Sequence, residues 1–147
     1  EVGQCVEVGQ VVLHHEVRTQ GDAIAASIDK AGVLGLAHDL FETQLAADFP
    51  DLNIVAAHPG WPWTEEMIAV ALHKGNVSWE LSGWAPKYFP EPLKRDVRSR
   101  LKDKIMFGSD YPSIPYERLF REWEELGYSA ELMEKIFHAN AERILGL

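Results

Sequence analysis

Two histidines and one aspartate in this chain each follow a short apolar run. His14 follows Val11-Val12-Leu13, His58 follows Ile54-Val55-Ala56-Ala57, and Asp110 comes just after Ile105-Met106-Phe107-Gly108-Ser109. Imidazole nitrogens and carboxylate oxygens are ligands that Zn²⁺ accepts at roughly 2.0 to 2.2 Å, leaving a fourth position for water. An ion held in this way lowers the pKa of its water to about 7, and a nearby carboxylate can then take the proton. Each residue also has a plainer reading. His58 precedes Pro59-Gly60 and Asp110 precedes Tyr111-Pro112, so either side chain could simply hydrogen-bond a turn or a helix start. On residue type alone both readings stay open. Position favours a shared site, because functional side chains of parallel α/β sheets gather at the C-terminal ends of strands.

The elements that must position these residues are legible in outline. Val11 to Leu13, Ile54 to Ala57 and Ile105 to Phe107 are nearly uninterrupted apolar runs, the pattern of strands buried on both faces. Val77, Trp79 and Leu81 alternate with polar residues and predict a fourth strand. Met67, Ile68, Ala71 and Leu72 form a helical stripe behind Thr64, an expected N-cap, with Glu65 and Glu66 in the first turn. Leu93, Val97 and Leu101 predict a second helix, and Tyr116, Leu119, Phe120 and Trp123 a third after the Pro112 to Pro115 turn. Leu132, Ile136 and Phe137, then Ile144 and Leu145, predict one or two short closing helices capped at Ser129. Phe41, Leu45 and Phe49 suggest a further helix ended by Pro50. Between His15 and His38 no element edge can be read, although Ala23 to Ala31 has a helical composition. Strands alternating with helices argue for a parallel α/β sheet.

A chain of 147 residues with 46% hydrophobic and 25% charged residues suits one packed domain, here residues 1–147. The net charge of −9 repels polyphosphate, so nucleic acid is not an expected partner. The densest basic stretch, Lys87 to Lys104, reads as the wet face of a helix. Neither a Gly-x-Gly-x-x-Gly nor a Walker-type loop occurs, which removes the best-supported nucleotide-binding readings. Cys5 is the single cysteine, so a reducing compartment, the cytoplasm, is expected. No apolar run approaches the roughly 20 residues of a membrane span, and the first residues, EVGQCVEVGQ, lack the basic start and long apolar stretch expected of a signal peptide. The absence of a starting Met suggests a fragment. His38, His73 and His138 fall in or beside helical patterns and are expected on the surface or in packing. The five tryptophans are expected in core or loop packing, with Trp61 and Trp84 as candidate pocket walls. Glu80 and Ser82 end the predicted fourth strand within reach of the site, with nothing to choose between them.

Ala57-His58-Pro59-Gly60-Trp61-Pro62-Trp63 and Phe107-Gly108-Ser109-Asp110-Tyr111-Pro112 resemble the sixth- and eighth-strand motifs of the amidohydrolase-related family, in the branch similar to aminocarboxymuconate-semialdehyde decarboxylase. The likeness extends to Asp48-Phe49-Pro50-Asp51-Leu52-Asn53, to Leu81-Ser82-Gly83-Trp84 and to the ending Asn140-Ala141-Glu142-Arg143-Ile144-Leu145-Gly146-Leu147. It implies a (β/α)8 TIM barrel of which this chain holds about strands five to eight, the C-terminal half, since a whole barrel needs about 250 residues. It also implies one divalent metal, Zn²⁺ first and Mn²⁺ second. Asp110 is implied as metal ligand or proton-transfer group, and His58 as a catalytic residue beside or on the metal. His14 is implied as a metal ligand by Glu7-Val8-Gly9-Gln10-Val11-Val12-Leu13-His14, although the family's Gly-rich loop is replaced here by His15-Glu16-Val17-Arg18-Thr19-Gln20. The family's first-strand His-x-His pair is absent. Adjacent His14 and His15 cannot replace it simply, because neighbours on a strand face opposite ways.

The resulting expectation is a metal-dependent hydrolase or decarboxylase acting on a small carboxylated or carbonyl molecule. The alternative is a non-catalytic half-barrel, either a remnant or one part of an assembly with a second copy or an N-terminal half. An open sheet would expose two edges and the apolar interior of the barrel, which such pairing would cover.

Overall fold

Ile54, Val55 and Ala56 are all buried, as are Val77, Ser78 and Trp79, and Ile105 and Met106. Side chains of a strand alternate between faces, so burial throughout means that both faces of these strands are covered. A computed structural model describes residues 44–147 together with the backbone of β1 (Gln4–Val8) and β2 (Val11–His15). The buried runs are β3 (Asn53–Ala57), β4 (Val77–Glu80) and β5 (Ile105–Met106). The sheet order is β1-β2-β3-β4-β5.

β3, β4 and β5 are parallel, in the register Ala56↔Trp79↔Ile105 and Ala57↔Glu80↔Met106. Helices alternate with them: α1 (residues 44–48) precedes β3, α2 (Thr64–His73) links β3 to β4, and α3 (Glu91–Val97) links β4 to β5. After β5 come α4 (Tyr116–Glu125), α5 (Ala130–Glu134), a π turn (Lys135–Ala139) and α6 (Asn140–Leu145). The α/β class and the strand–helix alternation of a partial barrel are therefore present.

β2 differs from the expected parallel order, and β1 falls where the sequence pattern predicted no strand. β1 pairs antiparallel with β2, and β2 antiparallel with β3. A Val8↔Val11 pair leaves only two residues to reverse the chain, which permits a hairpin and forbids a parallel crossover. An apolar run such as Val11-Val12-Leu13 carries no signal for its direction, so this was not legible in its composition.

The two faces of the parallel strands have different covers. Ile54, Ala56, Val77, Trp79 and Ile105 join the main core with Met67, Ala71, Leu93, Trp123 and others. On the opposite face Val55 and Met106 pack against Ile144 of α6, flanked by Ala141 and Leu145. The C-terminal segment also closes the free side of β5. Phe107 N–H donates to Ile136 O at 2.8 Å, and the Asn140 amide donates to Ile105 O at 2.7 Å and Lys102 O at 2.9 Å. That face and that edge are thus partly covered by the chain itself, a closure the expected open half-barrel lacked.

Several local details depart from the sequence pattern. Thr64 is the first helical residue and not the cap, because Trp63 N–H already closes a turn onto Gly60 O at 2.7 Å. α3 ends at Val97, and Leu101 is buried by a turn in which its N–H donates to Asp96 O. Lys104 does not join the wet face. Its ammonium donates to Ala71 O at 2.7 Å and to Lys74 O, capping the C-terminus of α2. Ser129 caps α5 as expected, accepting from Leu132 N–H at 3.2 Å. Phe41, His38 and the Ala23 to Ala31 pattern lie outside the described residues. Among the described residues no helix is long and apolar enough to cross a membrane.

Candidate active site

His58 follows β3 directly and Asp110 lies four residues beyond β5. Both adopt left-handed backbone, φ 67° and 50°, and they are the two non-glycine residues with positive φ among those described. Such a conformation costs of order 1–3 kcal/mol, and it clusters at sites where a side chain must be aimed. Asp and His are among the side chains that tolerate left-handed backbone best, so the observation that counts is that both residues adopt it at strand ends facing one cavity.

The strand ends bring further groups to His58. Trp79, fully buried, donates from Nε1 to the His58 carbonyl at 2.6 Å and anchors the bend. Ser82 Oγ lies 2.9 Å from His58 Nδ1 and donates to Glu80 Oε2 at 2.8 Å. Sequence alone left Glu80 and Ser82 unranked; in the fold Ser82 touches the imidazole and Glu80 holds Ser82. Burial pushes the Glu80 carboxyl above its usual range, and Asp110 adds to the rise. The Ser82 hydrogen bonds and His58 pull the other way without cancelling it.

Two glycines make the room. A Cβ on Gly83 would lie 2.5 Å from His58 Nδ1, and one on Gly108 would lie 1.2 Å from Glu80 Oε1. Neither was singled out by residue pattern; the available signal was a glycine immediately beyond a strand end, which often marks close approach. His58, Gly60, Trp61, Gly83, Trp84 and Asp110 line one cavity of about 230 Å³. Trp61 and Trp84 thus stand where pocket walls were expected. A more apolar cleft of about 530 Å³ adjoins it through Gly83 and Trp84, with Tyr88, Ile114 and Arg118 on its far side.

For His14 only the backbone, in β2, is described. Its backbone pairs with Asn53, at the opposite end of β3 from His58, a run of five residues or roughly 16 Å of extended chain. His73 and His138 are exposed, as expected, and His138 sits 3.3 and 3.1 Å from the carboxylates of Glu134 and Glu142.

A parallel α/β unit with polar side chains gathered at its strand ends is the arrangement of part of a (β/α) barrel. The amidohydrolase family pattern matches residues 12–147, and the chain belongs to that family. Among solved structures it is similar to an uncharacterised TIM-barrel protein from Bordetella bronchiseptica, at 31% identity and a TM-score of 0.62, covering 71% of this chain and 37% of that one. It is also similar to Amidohydrolase 2 from Bifidobacterium longum subsp. infantis, at 19% identity and a TM-score of 0.54, covering 74% of this chain and 46% of that one. The matched region therefore spans less than half the length of either protein. No curated protein matches the chain.

The family is in general metal-dependent. Glu80 Oε1 is buried without a hydrogen-bond partner, the kind of orphan oxygen a cation would satisfy, and imidazole with carboxylates is suitable donor chemistry. Against this, among the described residues no three His, Cys, Asp or Glu side chains are arranged to hold an ion. The described residues thus supply part of a donor set and not a complete metal centre.

Proposed function

We propose that this chain supplies about strands five to eight of an amidohydrolase barrel, in the branch similar to aminocarboxymuconate-semialdehyde decarboxylase. Its reaction is hydrolysis or decarboxylation of a small carboxylated or carbonyl compound, once the rest of the site is supplied. One observation carries the reading: His58 and Asp110, at the ends of two parallel strands, share a cavity and both hold a costly left-handed backbone. The partial coverage of the solved relatives supports the half-barrel assignment.

In this reading Asp110, exposed at the cavity, takes or delivers a proton, and His58 meets the charge that develops on the substrate. Trp61 and Trp84 offer flat apolar walls to the substrate. The completed site holds one divalent ion, Zn²⁺ ahead of Mn²⁺, with Asp110, His58 and His14 as its proposed ligands and the remainder supplied by the rest of the barrel. The missing part comes from an N-terminal half or from a second copy of the chain.

A second reading has its own support. The C-terminal segment already bonds the outer edge of β5 and covers Val55 and Met106, which suits a stand-alone, non-catalytic half-barrel.

Elemental analysis of the purified chain beside an identically prepared Asp110→Asn variant separates the two. About one zinc or manganese per chain, falling sharply in the variant, supports the enzyme reading and justifies assays with carboxylated substrates. Absence of metal from both, even after zinc is supplied and the excess removed, would sink the claim that this chain alone forms a working site.

A further inference from the structure

We infer that Ser82 and Glu80 are positioning residues that hold His58 in one tautomer, with the proton on Nδ1 and the lone pair of Nε2 left for the cavity. The inference deepens the proposed function, since it concerns the imidazole which that reading places in the chemistry.

The count of donors and acceptors carries it. Ser82 Oγ stands between two partners, His58 Nδ1 at 2.9 Å and Glu80 Oε2 at 2.8 Å. A hydroxyl has one proton to donate and lone pairs to accept with, whereas a carboxylate, once ionised as it is at alkaline pH, only accepts. The Ser82 proton is therefore committed to Glu80. Ser82 can then only accept from the ring, which requires N–H at Nδ1. A neutral imidazole with Nδ1–H has its lone pair on Nε2. Glu80 sets the direction of the chain and Ser82 transmits it, so neither needs to touch substrate.

The packing shows that this arrangement is built in. A side chain at Gly83 would strike Nδ1, and one at Gly108 would strike the Glu80 carboxylate. The Trp79 indole fixes the His58 carbonyl from behind, so the ring has one well-defined place to stand. Removing Ser82 would leave Nδ1 facing a void with no acceptor, and the ring would lose its reason to prefer Nδ1–H.

The test is the long-range ¹H–¹⁵N spectrum of the histidine rings in the full chain, recorded well above the ordinary imidazole range, with His58 assigned by its loss in His58→Asn. The expected result is a single Nδ1–H tautomer for His58 in the parent protein. In Ser82→Ala it gives way to a mixture with a several-fold larger Nε2–H share, and in Ser82→Thr, which keeps the hydroxyl, it returns. In Glu80→Gln the amide can donate to Ser82, freeing its hydroxyl to donate to the ring, so the Nε2–H share again rises. A parent protein already in the Nε2–H form would overturn the inference, as would a tautomer unmoved by Ser82→Ala in a variant whose backbone spectrum shows it folded. The readout needs neither metal nor turnover. A confirmed Nδ1–H tautomer in a chain that binds no metal would leave this positioning intact while the proposed function failed.

Discussion

At the scale of single residues, conformational strain and steric room go together at this site. His58 and Asp110 pay for left-handed backbone, while Gly83 and Gly108 give up side chains so that an imidazole and a carboxylate can occupy their space. Gly108 offers the sharper test, because its backbone does not itself demand glycine: no positive φ is found there. Gly108→Ala must displace the Glu80 carboxylate or Ser82, whose Cβ would also be only 2.9 Å away. The expected cost is about 1–3 kcal/mol, as for overpacking elsewhere, read from urea unfolding. The His58 tautomer should loosen in the same variant. Unchanged stability and unchanged His58 signals in Gly108→Ala would show that the Glu80 position is not enforced by packing. His58 and Asp110 were legible in the sequence because strand ends are where function concentrates. The glycines were not, because what they make room for comes from other strands.

At the scale of elements, the C-terminal segment acts as a substitute neighbour for β5. In a two-residue strand, each outward polar group matters. Ile105 O and Phe107 N–H find partners in the Asn140 amide and in Ile136 O, the latter within the π turn. Asn140 is 3% exposed, so water cannot readily replace what it supplies. Asn140→Ala is expected to lose about 1–3 kcal/mol, the usual cost of leaving buried acceptors unmet. Amide exchange at Phe107 should quicken with it. A variant that unfolds at the same urea concentration as the parent, with Phe107 equally protected, would mean that the edge is closed by other means. The helical stripe over this segment was readable, since Leu132, Ile136 and Ile144 keep helical spacing. That its carbonyl would cap a strand was not, because backbone groups carry no sequence label.

At the scale of the whole molecule, two buried carboxylates with arginine partners on their own segments set an acid limit. Asp96 is held below the usual aspartate range, first by its hydrogen bond from Arg100 and then, against burial, by Arg95. Burial pushes Glu122 upward, but the Arg118 hydrogen bond and the Lys87 N–H outweigh it, and its carboxyl too is held below the usual range. A depressed carboxyl contributes stability that is present above its unfolded value and lost as pH falls through the folded one. Asp96→Asn is therefore expected to lower stability at neutral pH, with the gap to the parent closing on acidification. Parallel unfolding curves with a constant gap down through the carboxylate range would refute this. By itself, the sequence determined the α/β alternation, three of the strands that form the parallel sheet, and two of the residues that share the cavity. Each of these is written locally, as apolar runs and as polar residues placed just beyond them. The tertiary structure alone decided the antiparallel direction of β2, which pairs the His14 backbone with Asn53, and the closure of β5 by a helix. It also decided the Glu80–Ser82–His58 chain. These depend on which backbone and side-chain groups meet after the chain has returned on itself, and a hydrogen bond between strands has no counterpart in the order of residues along one.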